Sequence, residues 1–146
     1  PYEVTHTPDG RPVIESYKAW QPRASAAAQG GDWVTYRYEV LSPYAALLSK
    51  QGDAGGPADS YTIWACPTSA DTCRLWFAQY TTDTTSSDSV LRDFQVAIFA
   101  QDQPILESQS PKRLPLEGGE LMSAADRLSV AYRRYLKAQG ITHGVC

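Results

Sequence analysis

Trp33-Val34-Thr35-Tyr36-Arg37-Tyr38-Glu39-Val40-Leu41 alternates apolar and polar side chains, the period of a β-strand with one covered and one wet face. Val34, Tyr36, Tyr38 and Val40 fall on the apolar side, with Thr35, Arg37 and Glu39 on the other. A sheet face of this kind has to be buried against another layer. The rest of the chain decides what that layer is.

Residues 11 to 20 read as the strand before this one. After Ser42-Pro43, the run Tyr44-Ala45-Ala46-Leu47-Leu48 reads equally as a strand or a helical turn, because periodicity does not separate the two over so short a run. The loop Gln51 to Ser60, with Gly52, Gly55, Gly56 and Pro57, lacks the Gly-Lys-Ser/Thr ending of a phosphate cradle. A hairpin follows, from Tyr61 to Cys66 and from Cys73 to Tyr80, rich in the aromatic residues that half-buried strands favour. Setting Cys66 opposite Cys73 puts Trp64 against Leu75 and Thr62 against Phe77. The apolar cluster on that face is either core or the wall of a pocket.

Ser86, Ser87 and Asp88 mark a helix start, and Val90, Leu91, Phe94, Ile98, Phe99 and Leu106 continue at three- and four-residue steps past Pro104. Proline there cannot donate to the carbonyl of Ala100, so the helix is expected to kink or loosen around residues 100 to 104. Asp102 lies in that stretch and shares a face with Gln95, Ile98, Phe99 and Leu106, which points it toward the interior. A buried carboxylate requires a neutralising partner or a metal. The plainer reading, an aspartate on the helix surface or paired with an arginine, stands beside it.

Ser110 to Gly119, with Pro111, Pro115, Gly118 and Gly119, is a connector. Ser123 and Asp126 then form a capping box for a second helix whose apolar stripe is Leu128, Ala131, Tyr132 and Tyr135, ending at Gly140. Arg127, Arg133, Arg134 and Lys137 read as its solvated face. Strands first and helices after predict an α+β fold, an antiparallel sheet with a long C-terminal helix packed across it.

A chain of 146 residues, 42% apolar, supports one core and one unit. The net charge of −3 comes with no basic stripe of the kind that neutralises phosphates, so nucleic acid is not an expected partner. No run of eighteen apolar residues and no leader are visible, which points to a cytoplasmic protein with no membrane contact. The opening Pro1-Tyr2-Glu3-Val4 without a methionine reads as a segment of something longer.

Three cysteines argue against a disulfide framework. Cys66 and Cys73 are expected as reduced, buried thiols, and Cys146 as exposed. With only His6 and His143, both expected at the surface, the chain carries no nucleophile system with a histidine base. Neither Cys66 nor Cys73 has a second ligand at a short metal spacing, so no full metal site can be drawn from these residues.

The block Ile98-Phe99-Ala100-Gln101-Asp102-Gln103-Pro104-Ile105-Leu106-Glu107-Ser108-Gln109 carries a resemblance, together with Arg113-Leu114-Pro115-Leu116 and Asp126-Arg127-Leu128-Ser129-Val130-Ala131-Tyr132-Arg133-Arg134. These segments resemble the carboxyl-terminal part of Rieske non-haem iron oxygenases of the vanillate demethylase and phthalate dioxygenase type. Tyr38 to Tyr44 and the Trp64 to Phe77 hairpin fit the same pattern, so the likeness spans nearly the whole chain.

The resemblance implies a helix-grip, START-like domain, incomplete here, with Asp102 as the carboxylate of a two-histidine, one-carboxylate site on mononuclear Fe(II). It places the two histidines in a His-x4-His-like motif before Pro1, and a [2Fe-2S] Rieske cluster in an N-terminal domain that this chain lacks. His6 has no partner at that spacing. Trp64 and Phe77 are the expected pocket residues for an aromatic substrate, and which of Trp64, Phe77, Trp76 and Tyr36 faces the pocket depends on the strand register. The implied reaction is hydroxylation or oxidative demethylation with O2 and electrons from an NADH-dependent reductase, in a trimer, the isolated chain being inactive. The alternative reading is a non-enzymatic START-like module that binds a hydrophobic ligand.

Overall fold

A computed structural model describes residues 2 to 53 and 58 to 146. The middle of the expected glycine-rich loop, Ala54 to Pro57, therefore lies outside the described residues. Six strands form one antiparallel sheet in sequence order: β1 (Thr5–His6), β2 (Pro12–Gln21), β3 (Asp32–Ser42), β4 (Ala45–Gly52), β5 (Asp59–Pro67) and β6 (Cys73–Tyr80). The ambiguous run after Pro43 is thus a strand, its residues paired with β3 on one side and β5 on the other.

Two rows of paired residues define the face that matters. Tyr38 pairs with Leu48, Leu48 with Tyr61 and Tyr61 with Gln79; one step along, Val40 pairs with Ala46, Ala46 with Ile63 and Ile63 with Phe77. Since side chains alternate along each strand, all of these point to the same side.

Helix α1 (Asp88–Glu107) starts where expected, with Ser87 as N-cap, and runs three residues beyond Pro104. Its packing differs from the expectation. None of its residues is buried, Asp102 is exposed, and Val90, Ile98 and Leu106 of the anticipated apolar stripe are exposed as well. Apolar residues also occur off that stripe, at Val96 and Ile105, so the helix has no single dense seam to press into the sheet. It stands over the sheet as a roof and leaves a hollow beneath it.

The closely packed core lies elsewhere. After the connector, a short 3-10 turn (Ala124–Asp126) carries the anticipated capping box between Ser123 and Asp126 and leads into α2 (Arg127–Ala138). Tyr135 and Leu136 of α2 pack with Val40 and Val145, and Leu114, Leu116, Tyr132 and Ile141 close around them. The helix ends at Gly140, whose φ of +67° suits a residue without a Cβ. The chain end then turns back on the connector: Leu114 N–H donates to Gly144 O at 3.0 Å and Cys146 N–H to Leu114 O at 3.0 Å.

Arg133 corrects another expectation. It is 8% exposed rather than solvated, and its guanidinium donates to Pro115 O at 2.9 Å, to Ser129 and to the Glu120 carboxylate. The connector wraps over this side of α2 and makes the arginine its anchor. Arg134 and Lys137 remain exposed. All three cysteines are free and exposed, so the buried thiols expected at Cys66 and Cys73 are not found. None of the described helices is long and apolar enough to cross a membrane.

Candidate functional site

Between α1 and the sheet lies a cavity of about 340 Å³. Its floor is the double row of Tyr38, Leu48, Tyr61, Val40, Ala46, Ile63 and Phe77, and α1 supplies Gln95, Ile98, Phe99 and Asp102 from above. Leu128, from the first turn of α2, closes one side. Such a space, mostly apolar with a few polar groups, is the usual form of a small-molecule site.

Two acidic residues border the cavity, Asp102 from α1 and Glu39 from a strand position whose side chain alternates to the opposite face of the sheet, and they are in opposite conditions. Glu39 receives hydrogen bonds from Arg37 at 2.6 Å and Arg11 at 2.8 Å, and these guanidiniums, Arg37 foremost, hold its carboxyl below the usual range. Its charge is committed. Asp102 makes no hydrogen bond or ion pair with any described residue. It is the available acceptor of the site.

Burial pushes the Tyr38 and Tyr61 hydroxyls above the ordinary tyrosine range, so both stay protonated at neutral pH. With the Gln95 carboxamide they are the neutral polar groups against which a ligand can be oriented. Alternation alone put Tyr38 on the apolar face. Gln95 shares the helix face assigned to Asp102 in the sequence, whereas Tyr61 as a cavity residue requires the strand register.

The hairpin register corrects the sequence expectation by one residue. Pro67 pairs with Cys73 and Cys66 with Arg74, so Trp64 stands opposite Trp76 and Phe77 opposite Ile63. The turn is closed by Thr68 N–H and Ser69 N–H, which both donate to Thr72 O at 2.9 and 3.2 Å. A one-residue slip exchanges faces. Phe77, 43% exposed, lines the cavity, whereas Trp64, 42% exposed, projects from the other side of the sheet and does not. Trp76 and Tyr36 do not line it either.

This placement makes a direct prediction for the full-length protein. Phe77→Ala should weaken binding of naphthalene, measured by calorimetric titration, by roughly tenfold through lost apolar contact. Trp64→Ala should leave it unchanged. Equal losses in the two variants would refute the register.

The remaining question is what Asp102 can hold. Among the described residues no group of three or more His, Cys, Asp and Glu is placed to bind a metal ion. His6 and His143 are exposed, and the His143 ring is 3.1 Å from Ser69 O. A free carboxylate on a cavity wall fits one position of an iron site. The chain's described residues do not supply the others.

Comparison with known proteins follows the same lines. Residues 2–140 match the family described as vanillate O-demethylase oxygenase C-terminal domain. The chain is 37% identical over 127 residues to a probable methylxanthine N7-demethylase, NdmC, of Pseudomonas sp. (strain TJI-51), covering 85% of this chain and 45% of that protein. It is 36% identical over 105 residues to the methylxanthine N1-demethylase NdmA of Pseudomonas putida, covering 70% of this chain and 29% of NdmA. The chain thus spans less than half the length of these relatives.

Among solved structures, Pseudomonas putida NdmB superposes with a TM-score of 0.71 at 22% identity, over 94% of this chain and 36% of that one. NdmA with caffeine gives 0.70 at 24% identity, over 93% and 38%. These likenesses establish the α+β fold. With the match running from residue 2 to residue 140, the chain belongs to the vanillate O-demethylase oxygenase C-terminal domain family, the carboxyl-terminal catalytic portion of Rieske-type oxygenases.

Proposed function

We propose that this chain forms the substrate cavity and one iron-ligand position of an oxygenase that removes a methyl group from, or hydroxylates, an aromatic ring. The observation that carries the reading is Asp102, a carboxylate without a partner among the described residues, on the wall of an otherwise apolar cavity. Mononuclear Fe(II), when bound, would supply the activation of O2. Its two histidine ligands, and a [2Fe-2S] cluster fed by an NADH-dependent reductase, would come from outside the described residues. The isolated chain would therefore have no turnover. A cytoplasmic trimer is the assembly proposed for the whole protein.

The chain's own residues then have definite tasks. The floor of Leu48, Ile63 and Phe77 excludes water from one face of a flat ring. Tyr38, Tyr61 and Gln95 provide neutral hydrogen-bonding groups that orient ring carbonyls or nitrogens, as a methylated purine of the kind named for the relatives would need. A cavity of about 340 Å³ suits a molecule of one or two rings.

The test is an assay of the full-length protein with a reductase, NADH and O2 on N-methylated and O-methylated aromatics. One formaldehyde and one demethylated ring should appear per NADH and O2 consumed. Ligand binding with neither formaldehyde nor a hydroxylated product would favour the alternative, a helix-grip binder without chemistry.

A further inference from the structure

A second apolar hollow, of about 530 Å³, adjoins the cavity. Both are lined by the same four residues: Val40, Ala46 and Ile63 on the sheet, and Leu128 on α2. The first cavity is roofed by α1, whereas Ala125, Ser129 and Tyr132 line the second. The floor is therefore continuous, and Leu128 is the residue that both spaces share on the helix side.

Leu128 is also held firmly. It lies in the first turn of α2, immediately after the capping box in which Asp126 accepts from Ser123 N–H at 2.8 Å and Ser123 Oγ at 2.7 Å. Arg127 Nη1 donates to Tyr2 O at 3.0 Å and ties the same turn to the start of the chain. A helix start fixed on both sides holds the backbone of Leu128 in place relative to the sheet.

We propose that the second hollow is an extension subsite of the substrate cavity, and that Leu128 sets the length of the ligand that reaches it. The ligand class is an aromatic ring bearing an apolar substituent of several carbons, with the ring in the first cavity and the substituent in the second. The polar groups of the second hollow are Asp126, Ser129 and the hydroxyls of Tyr2, Tyr44 and Tyr132, which already donate to the carbonyls of Ala125, His143 and Pro43; Ala65 and Leu75 extend the apolar floor. This inference rests on the proposed substrate cavity and names what else that cavity takes.

The experiment measures equilibrium binding of naphthalene and 2-hexylnaphthalene to the full-length protein by calorimetry, in the absence of O2 and NADH. In Leu128→Ala, affinity for 2-hexylnaphthalene should rise by roughly tenfold or more while naphthalene changes by less than about threefold, the scale that pocket methylenes contribute to discrimination. Leu128→Phe, which keeps the site filled and guards against a folding defect of the smaller residue, should shift the ratio the other way.

Equal shifts for both ligands, no shift in either variant, or no binding of either ligand would overturn the subsite. Binding that follows the expected pattern in a protein with no oxygenase turnover would leave the subsite standing and remove the proposed reaction.

Discussion

Asp102→Ala in the full-length protein is expected to lose its mononuclear iron and its turnover together while the visible spectrum of the [2Fe-2S] cluster stays unchanged. The expected fall in iron affinity exceeds about a hundredfold, because changing even the outer partners of metal ligands costs ten- to a hundredfold. The argument depends on the isolation of the side chain. Asp102 is exposed and without a partner among the described residues, so its removal takes away no packing and no ion pair. Stability should stay within about 0.5 kcal/mol of the parent, as for other surface substitutions.

A loss of iron with folding intact therefore reports ligation rather than damage. Asp102→Glu, which keeps the carboxylate but moves it, should retain part of the iron. The outcome that contradicts the assignment is full iron occupancy and turnover in Asp102→Ala. Glu39→Gln is not an equivalent probe, because Arg11 and Arg37 already hold that carboxylate. Its loss would disturb the sheet first.

The contrast between these two carboxylates shows where sequence reasoning reaches its end. Alternation along β3 puts Tyr38 and Val40 on the apolar face, because a strand's two faces are written in its period. The capping box at Ser123 and Asp126 and the stop at Gly140 were equally legible, since local backbone groups demand those residue types. The hairpin register was not. A turn of Thr68 to Thr72 and one with Cys66 facing Cys73 differ by one residue, and no side chain in the run distinguishes them. The register with Cys66 facing Cys73 sets Phe77 against Thr62 on the same face as Trp64, whereas the structure sets it against Ile63 on the opposite face.

The depth of α1 was hidden for another reason. Apolar spacing says which side of a helix prefers shelter, and it is silent on how far away the shelter stands. Asp102 stands out in the sequence for an expected burial that the structure does not show. Its position over a hollow, rather than within packed side chains, is what leaves it free to bind.

Arg133→Ala should destabilise the protein by about 2–4 kcal/mol, the range for removing one partner from a buried network of charged hydrogen bonds. By its residue type Arg133 belonged on the solvated face of α2, yet the connector from residue 114 to residue 120 encloses it. Three acceptors from separate parts of the chain converge on it: Pro115 O, Ser129 and the Glu120 carboxylate. Removal leaves the Pro115 carbonyl without its donor and frees the connector from α2. Because that connector also pairs with the chain end at Leu114 and Cys146, its release should loosen Val145 from the core as well.

Lysine is a poor substitute, since one ammonium cannot reach acceptors arranged for a planar fork, so Arg133→Lys should recover less than half of the loss. Arg134→Ala, one residue along and exposed, is the control and should fall within about 0.5 kcal/mol of the parent. Urea unfolding of the three variants measures the differences at a common slope. If Arg133→Ala and Arg134→Ala unfold at the same midpoint, the buried network contributes nothing, and the core formed by Val40, Leu136 and Val145 must hold the connector by apolar contact alone.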